Sequence, residues 1–380
     1  MRRFLPLGRT GFETVLIMLA AFTFLTANVK AGEIPTLLPT PSGVKSITPA
    51  DFEPIKNPVM RWAQGDFAKD PSVVRFHDVY YLYYSYFLES NGKKILTIGV
   101  AQSDDRTHWR FEKNILPMQE CDKNGLGAPC AKIFNGKIWL FYQTYGNGAN
   151  DAICCAWSDD GLNFTPHEEN PIFRPTGDWT NGRAIDAEVT EFRGKIFLYA
   201  ATRDRDGKIQ KLVAATADAQ SGFGKNAWTQ AADFSIQEPL LAWETRCIEA
   251  PTSVVKNDRL YLFYAGGYNC APQQIGVAAS DDGIHFTRLG DVPFVPTGPA
   301  GQWNASESGH PGLFVDDDGS TWLFYQGNAS NGKDWFLSRL RIEWDASPDV
   351  PKFSQSPNTN KSKQPFMIPR IGMETPHDGK

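Results

Sequence analysis

Three acidic residues occupy equivalent places in a stretch that recurs along this 380-residue chain. Asp70, Asp186 and Glu249 each stand before a strand-like segment, a tight turn and a second, aromatic segment. Ala128 and His310 occupy the same place in two further copies. If the five places converge, three carboxyl groups and an imidazole share one site, where one acid can donate a proton while another carboxylate accepts one. Because such a ring is a poor way to build a core, the pattern predicts an active site.

The repeat itself predicts the fold that would bring these residues together. Its five copies are spaced about 60 residues apart and end in similar aromatic segments, YYLYYS, IWLFYQ, IFLYAA, LYLFYA and TWLFYQ. The turns before these segments contain Gly, Asn and Asp, which tolerate the positive φ of hairpin turns. Units of this length with several short strands are typical of propeller blades. The sequence therefore predicts an all-β, five-bladed β-propeller with four short antiparallel strands per blade.

The position of the acidic residues within each blade favours a functional role. The first strand of a propeller blade lies innermost, and its start opens onto one end of the central funnel. One aspartate before a strand is commonly a turn residue, but a shared register in several blades is not explained by turns. A second set of aspartates recurs in outer Ser-x-Asp turns, where a carboxylate can accept bonds from backbone N–H groups. The members of this second set, which we expect to be structural, are Asp105, Asp160 and Asp282.

Residues 1–31 are expected to form a cleaved secretory signal peptide. They contain the basic segment MRRFLPLGR, the apolar run VLIMLAAFTFL and small residues up to Ala31. The apolar run is too short to span a bilayer comfortably, although an uncleaved anchor stays the alternative. The mature protein is therefore expected to be secreted or periplasmic and to make no membrane contact after cleavage.

Composition divides the rest of the chain into three segments. Residues 32–50 form a Pro-rich lead-in, residues 51–345 contain the five repeats, and residues 346–380 form a polar C-terminal tail. The net charge of −5 and the lack of a basic cluster argue against a nucleic acid partner. Outside the cytoplasm, the six cysteines become candidate disulfide partners. The pairings that we expect are Cys121 with Cys130 and Cys247 with Cys270.

Four motifs resemble the blade starts of glycoside hydrolase family 43. They are KDPSVV, AIDAEV, CIEAPTSV and SGHPGLF, and the resemblance covers roughly residues 55–345 in the family's order. That family consists of five-bladed propellers that act on arabinose- and xylose-containing glycans. The chain departs from it at Ala187, where the family usually has proline, and in the second blade, which lacks a Trp before Ala-Pro and carries Cys130 after it. Related propeller families that act on fructosides, neoagaro-oligosaccharides or mannosides therefore stay open.

The resemblance implies a role for each acid in the hydrolysis of plant or algal oligo- or polysaccharides. Asp70 would be the general base that activates water, and Glu249 the general acid. Asp186 would tune the acid and orient the substrate. A nearby carboxylate and an apolar surrounding are expected to keep Glu249 protonated. An inverting outcome is implied, with roughly 6.5–9.5 Å between the carboxyl groups of Asp70 and Glu249.

Aromatic and cationic residues shortly before the blade starts are candidates for substrate binding. The tryptophans are expected on loops around the funnel mouth, where their faces can stack on sugar rings. The arginines are expected to donate hydrogen bonds to sugar hydroxyls. The candidates are Trp62, Trp179, Arg183, Trp243, Arg246, Trp303 and His310. No cofactor is expected to be required, although the resemblance leaves room for a calcium ion near the propeller axis that His310 would help to hold through water.

Two other functional classes stay open besides a hydrolase. A glycoside phosphorylase would need cationic residues at the funnel to hold phosphate, and Arg61, Arg183 and Arg246 could serve. A non-catalytic glycan-binding propeller would be expected to lose at least one acid. Because all three acids are present, the sequence favours a glycosidase.

Overall fold

The structure of the chain is a computed structural model that describes residues 61–62, 65–90, 92–344 and 351–352. The expected signal peptide, the lead-in and all of the C-terminal tail except residues 351–352 lie outside these ranges. Within them, no helix has the length and apolar character that crossing a membrane requires.

The described strands form one two-stranded hairpin and five four-stranded antiparallel sheets, each sheet being one blade. The hairpin consists of β1 (Arg61–Trp62) and β2 (Gly65–Asp66). Blade 1 consists of β3 (Lys69–Phe76), β4 (Val79–Ser90), β5 (Lys93–Ser103) and β6 (Arg110–Ile115). Blade 2 consists of β7 (Leu126–Phe134), β8 (Lys137–Thr144), β9 (Ile153–Ser158) and β10 (Thr165–Pro166). Blade 3 consists of β11 (Ile185–Phe192), β12 (Lys195–Arg203), β13 (Gln210–Ala217) and β14 (Thr229–Gln230). Blade 4 consists of β15 (Ile248–Lys256), β16 (Arg259–Gly266), β17 (Gln274–Ser280) and β18 (Thr287–Arg288). Blade 5 consists of β19 (Glu307–Val315), β20 (Thr321–Asn328), β21 (Phe336–Trp344) and β22 (Pro351–Lys352). Short 3₁₀ helices in the loops are Glu120–Asp122, Gly148–Asn150, Lys225–Ala227 and Ala242–Glu244.

The blades surround a common axis, so the predicted five-bladed propeller is confirmed. Each sheet follows chain order from its first strand to its fourth. The first strands β3, β7, β11, β15 and β19 contact one another in cyclic order, and β19 lies beside β3 to close the ring. The hydrophobic core is divided into clusters of buried aliphatic and aromatic residues that lie between neighbouring blades.

A girdle of hydrogen bonds joins the first strands at the level just beyond the blade starts. In four of the five junctions, a side chain of one blade accepts a bond from a backbone N–H of the next blade. The bonds run from Ala131 N to Ser72 Oγ (2.9 Å), Val189 N to Cys130 Sγ (3.4 Å), Ser253 N to Glu188 Oε1 (2.9 Å) and Leu313 N to Thr252 Oγ1 (2.9 Å). At the junction of blades 5 and 1, Gly312 holds the equivalent position, and a Cβ there would overlap the carbonyl oxygen of Pro71. At this level of the girdle, the backbones of blades 5 and 1 therefore approach closely, and position 312 has no side chain that could accept a bond.

The outer Ser-x-Asp turns have the structural role that was predicted for them. In blade 2, Asp160 Oδ1 accepts bonds from the backbone N–H groups of Leu162 (2.9 Å) and Asn163 (2.7 Å). Asp105 and Asp282 make the same pair of bonds in their own turns. These aspartates therefore satisfy turn backbone groups at the periphery, far along the blade from the first strand.

The cysteines differ from the expectation. All six carry free thiols, so the expected pairings of Cys121 with Cys130 and of Cys247 with Cys270 are wrong. Cys130 belongs to the girdle on the inner strand β7, whereas Cys121 lies in the loop before that strand. The nearest partner of Cys121 is Cys154, whose Sγ lies 3.8 Å from the Sγ of Cys121.

Candidate active site

A β-bulge shapes the start of every first strand. At each bulge, one residue adopts a positive φ of 42° to 54° and the strand pairing shifts. Non-glycine residues are uncommon in this region, and such backbone strain is typically found at functional sites. The five residues are Asp70, Ala128, Asp186, Ala250 and His310. Four of them precede a proline, whose missing N–H suits an interrupted ladder.

This geometry corrects the predicted register of blade 4. Ala250, and not Glu249, is the structural equivalent of Asp70 and Asp186. Glu249 lies one residue earlier, in regular pairing with Ala265. The repeat in the sequence places the three acids at one equivalent position. In the backbone, the equivalent position is the residue of positive φ, which in blade 4 is the residue before the proline. Glu249 nevertheless reaches the same cavity as Asp70 and Asp186.

The cavity occupies the end of the funnel and has a volume of about 660 Å³. Its floor contains Asp70, Asp186, Glu249 and His310. Its wall rises mainly from the loops that join the second and third strands of each blade, because these loops lie at the same end as the blade starts. The wall residues include Phe87, Lys94, Tyr145, Arg203, Gln210, Tyr268, Asn269, Lys333 and Trp335.

His310 connects two of the acids. Its Nδ1 lies 2.7 Å from Asp70 Oδ1 and its Nε2 lies 3.2 Å from Glu249 Oε1. Burial works against a charge on this imidazole, but the negative charges of Asp70 and Glu249 outweigh burial and raise the pKa of His310 well above its ordinary value. His310 is therefore an imidazolium that faces a carboxylate with each ring nitrogen.

Asp70 is held as a carboxylate. Its burial would raise the pKa, but the charge and hydrogen bonding of His310, together with the charge of Lys69, lower the pKa of Asp70 below its ordinary value. Its backbone N–H donates to Gln326 Oε1 of blade 5 at 2.9 Å, which fixes the strained residue across the closure of the ring. A buried carboxylate that stays ionised is suited to accept a proton.

Glu249 differs from the expectation that it would be protonated in the resting site. Burial does push its pKa upward, but the hydrogen bond and charge of His310 and the charge of Lys69 lower the pKa of Glu249 overall. Gln273 Nε2 donates to Glu249 Oε1 at 2.7 Å, and Gln210 Nε2 donates to Glu249 Oε2. Four donors or cations thus favour the ionised form. The sequence near Glu249 could not reveal three of them, because His310, Lys69 and Gln210 come from other blades, whereas Gln273 comes from a later loop of blade 4.

Asp186 is the acid that retains a proton near neutral pH. Its burial raises the pKa of Asp186 to about 7, the charges of Glu249 and Asp70 act in the same direction, and His310 opposes them. Its Oδ2 is buried and has no hydrogen-bond partner among the described residues. One oxygen or nitrogen atom each from Asp186, Glu249 and His310 lie within 4.8 Å of one another. The site can therefore accept a proton at Asp70 and hold one on the neighbouring acids.

The expected calcium ion near His310 stays a prediction. Asp186, Glu249 and His310 each offer one ligand atom within 4.8 Å of the others. Calcium prefers oxygen ligands, which Asp186 and Glu249 supply, whereas His310 would act through water. We assign no step of the chemistry to a metal.

The predicted substrate-binding residues are divided by the structure. Arg183 and His310 line the cavity. Arg246 is exposed and is not among the lining residues. The backbone of Trp62 lies in β1, but its side chain is outside the described part of the structure.

The other three predicted tryptophans pack against the core and are not among the residues that line the cavity. Trp179 packs against the cluster between blades 2 and 3. Trp243 stacks on Tyr264 at 6.1 Å, and Trp303 is tilted against Tyr325 at 5.6 Å. Their apolar surfaces pack against the core clusters between blades, which is the alternative to stacking on sugar rings.

Sequence reasoning missed the residues of the wall. Arg203, Tyr268, Lys333 and Trp335 lie in or beside the loops between second and third strands. Their position in the repeat was a usable signal, because that loop must share one end of the blade with the start of the first strand. The predicted binding residues all lie shortly before or at the start of a first strand, whereas these wall residues lie in a different loop of the repeat.

Comparisons with known proteins agree with this fold. The sequence profile described as Glycosyl hydrolases family 43 matches residues 55–347. The chain resembles the crystal structure of a thermostable family-43 glycoside hydrolase with a TM-score of 0.60 and 17% identity, over 79% of this chain and 99% of that one. It resembles the α-L-arabinofuranosidase from Lactobacillus brevis with a TM-score of 0.57 and 17% identity, over 78% and 96% of the two chains.

A curated relative is the sucrose-6-phosphate hydrolase of Escherichia coli. It is 31% identical over 166 residues, which represent 38% of this chain and 35% of that protein. The chain thus matches only about a third of the length of that relative. The structural similarities, at these identities, indicate a shared fold.

Proposed function

Because the chain belongs to family 43 of the glycosyl hydrolases, we propose that it hydrolyses glycosidic bonds in oligo- or polysaccharides by general acid and base catalysis. The observation that carries this proposal is the buried set of Asp70, His310, Glu249 and Asp186 on the floor of one cavity. Hydrolysis needs a carboxylate on one side of the sugar and a carboxylic acid at the leaving oxygen. The set offers both.

Asp70 is the general base in this proposal. Its ionised carboxylate takes a proton from a water molecule, whose oxygen then bonds to the anomeric carbon as the glycosidic bond breaks. Lys69 and His310 keep the pKa of Asp70 low, so that the base is ready at neutral pH. The backbone bond from Asp70 to Gln326 holds the carboxylate in place during the attack.

Glu249 is the general acid, and Asp186 supplies the proton that it lacks in the resting site. Asp186 holds a proton up to a pH of about 7 and lies beside Glu249. A bound sugar displaces water from both carboxyl groups and thereby favours the neutral form of Glu249. Glu249 then passes the proton to the leaving oxygen, and Asp186 also orients the sugar through its unpartnered Oδ2.

The separation of the two acids favours inversion of the anomeric configuration. His310 lies between Asp70 and Glu249 and contacts both. An imidazole ring with a contact at each nitrogen spans about 7 to 8 Å between the carboxyl oxygens, within the range that leaves room for water. The preferred glycans in this proposal contain arabinose or xylose, and the amino-terminal segment favours a secreted or periplasmic location.

A panel of aryl arabinosides, xylosides, galactosides and fructosides tests the proposal. We expect the wild type to hydrolyse at least one of them, and the initial product to be the inverted anomer by proton NMR. Glu249→Gln should lose about 10²- to 10⁴-fold in kcat on substrates with poor leaving groups, and much less on activated aryl glycosides. Glu191→Gln, an exposed change on the first strand of blade 3, serves as the control. Ordinary activity of Glu249→Gln on a natural glycan would refute the assignment of the acid.

A further inference from the structure

The cavity contains more cationic than acidic side chains. Three carboxyl groups line it, whereas the lysines and arginines that line it are Lys69, Lys94, Arg183, Arg203 and Lys333. The chain as a whole has a formal net charge of −5. Positive charge is thus concentrated where substrate would bind, in a protein whose overall charge has the opposite sign. A neutral sugar has no need for this excess, because hydroxyl groups are bound by uncharged donors and acceptors as well as by ions.

Arg203 is a half-buried cation of this cavity that lacks a carboxylate partner among the described residues. Its Nε donates to Gln210 Oε1 at 3.0 Å, and it forms no ion pair with any residue of the described ranges. Arg183, in contrast, lies 3.3 Å from Asp151 Oδ2. Arg203 is also half-buried, so its guanidinium is partly removed from water without a carboxylate to replace it. An anionic ligand would supply that missing partner.

The position of Arg203 relates it to the proposed acid. Gln210 donates through Nε2 to Glu249 and accepts through Oε1 from Arg203, so one amide side chain joins the two. Tyr268 lines the same part of the cavity, and the charges of Arg203 and Arg183 both act against the burial that raises the pKa of its phenol. Gln210 thus links Arg203 to Glu249, and Arg183 and Tyr268 line the same cavity.

We propose that Arg203, together with Arg183 and Tyr268 of the same cavity, binds an oxyanion on the leaving sugar unit, which is the unit whose glycosidic oxygen Glu249 protonates. The substrates would then be acidic oligosaccharides that carry a carboxylate, sulfate or phosphate group. This inference rests on the proposed function, because it is the role of Glu249 that identifies this side as the leaving-group side. A guanidinium matches such groups with two parallel hydrogen bonds, which an ammonium group does not. Free inorganic phosphate has the same chemistry, and the experiment separates it from a substituent on the sugar.

Binding is measured by calorimetry with pairs of similar oligosaccharides, one acidic and one neutral, and with inorganic phosphate. One pair is a xylo-oligosaccharide with a glucuronic acid branch and its carboxyl-reduced counterpart, another is digalacturonic acid and its dimethyl ester, and inorganic phosphate is the third probe. We expect an acidic member to bind more tightly than its neutral counterpart. Arg203→Gln should weaken the acidic member about 10- to 100-fold, the usual effect of a charge-assisted bond, and leave the neutral member within about twofold. Arg205→Gln, which removes the same charge at an exposed position nearby, should behave as the wild type.

Turnover of the same probes identifies the source of the oxyanion. A kcat/KM advantage of acidic oligosaccharides that Arg203→Gln abolishes would support an acidic sugar. Turnover that requires inorganic phosphate, with a raised KM for phosphate in Arg203→Gln, would support an oxyanion site used by phosphate itself. The inference would be overturned if each acidic probe bound as weakly as its neutral counterpart and phosphate did not bind. It would also be overturned if Arg203→Gln and Arg205→Gln had equal effects. Failure of the proposed function would give a different result from failure of this inference. No glycan would then be cleaved, but the binding measurements would still show whether Arg203 binds the acidic probes.

Discussion

The imidazole of His310 faces Asp70 at 2.7 Å, and the two residues come from blades 5 and 1, where the ring of blades closes. A cation at this position keeps the proposed base ionised, and its other ring nitrogen, Nε2, faces Glu249. His310 therefore sets the protonation of the site although it transfers no proton in the proposed reaction. Its effect is testable through the pH dependence of activity.

His310→Gln should move the acidic limb of the kcat/KM profile to higher pH. Without the imidazolium, the pKa of Asp70 rises toward or above its ordinary value, so the base becomes protonated earlier as the pH falls. We expect activity at the acidic end to fall about tenfold more than activity near neutral pH. His285→Gln is a matched control, because His285 Nδ1 lies at the same 2.7 Å from Asp282 in an exposed outer turn. A profile that keeps its shape in His310→Gln would contradict this role.

Asp186→Asn should stabilise the protein, and more so at high pH. The pKa of Asp186 is about 7 in the folded protein against an ordinary 3.8, so between these values the folded state binds more protons than the unfolded chain. The free energy of unfolding contributed by this group therefore falls as the pH rises from about 4 to about 7. Asparagine removes that dependence, so the difference in Tm between variant and wild type should grow over this range while activity is lost. A difference that is the same at pH 5 and pH 8 would be inconsistent with a buried proton on Asp186, and exposed Asp178→Asn should show none.

Gly312→Ala should destabilise the closure of the propeller. The added Cβ would overlap the carbonyl oxygen of Pro71, which is backbone and cannot move aside as a side chain can. We expect a loss of about 1–3 kcal/mol in the free energy of unfolding, measured by denaturant titration. Gly290→Ala is the control, because a Cβ there has only one neighbour, at 3.8 Å. Equal stability of the two variants would show that blades 5 and 1 are not packed as described.

Oxidation should join Cys121 to Cys154 before any other pair. Their sulfur atoms are 3.8 Å apart, so a movement of about 2 Å suffices to form the bond. Cys121 supplies the reactive thiolate, because it is only partly buried and its hydrogen bond with Cys154 lowers its pKa. Burial raises the pKa of Cys130 and Cys155, so neither of them takes that role. Peptide mass spectrometry without reduction identifies the linked pair. A product that contains Cys130 joined to Cys121 would contradict the structure.

The blade architecture was predictable from the sequence because each repeat carries its own turn and strand pattern. The convergence of Asp70 and Asp186 followed from that architecture alone. The equivalence of Glu249 with them did not, since the backbone repeat counts from Ala250 and its proline. In blade 4 the acidic side chain belongs to Glu249, whereas the positive φ that marks the bulge belongs to Ala250, the next residue.

The electrostatics of the site was not predictable from local sequence. His310 from blade 5 and Gln210 from blade 3 keep Glu249 ionised. The sequence near Glu249 contains no pattern that predicts either contact. The tryptophans were placed in the wrong environment for a related reason. Their distance from a blade start indicated a loop, but the loop of Trp243 returns onto the second strand of blade 4, where its ring stacks on Tyr264.

The floor and the wall of the cavity come from different parts of each repeat. The floor belongs to first strands that are locked into the girdle, whereas the wall comes from loops such as the one that carries Tyr268 and Asn269. An exchange of those loops that keeps Gln210 and Gln273, which hold Glu249, can therefore admit a new glycan while the floor stays in place.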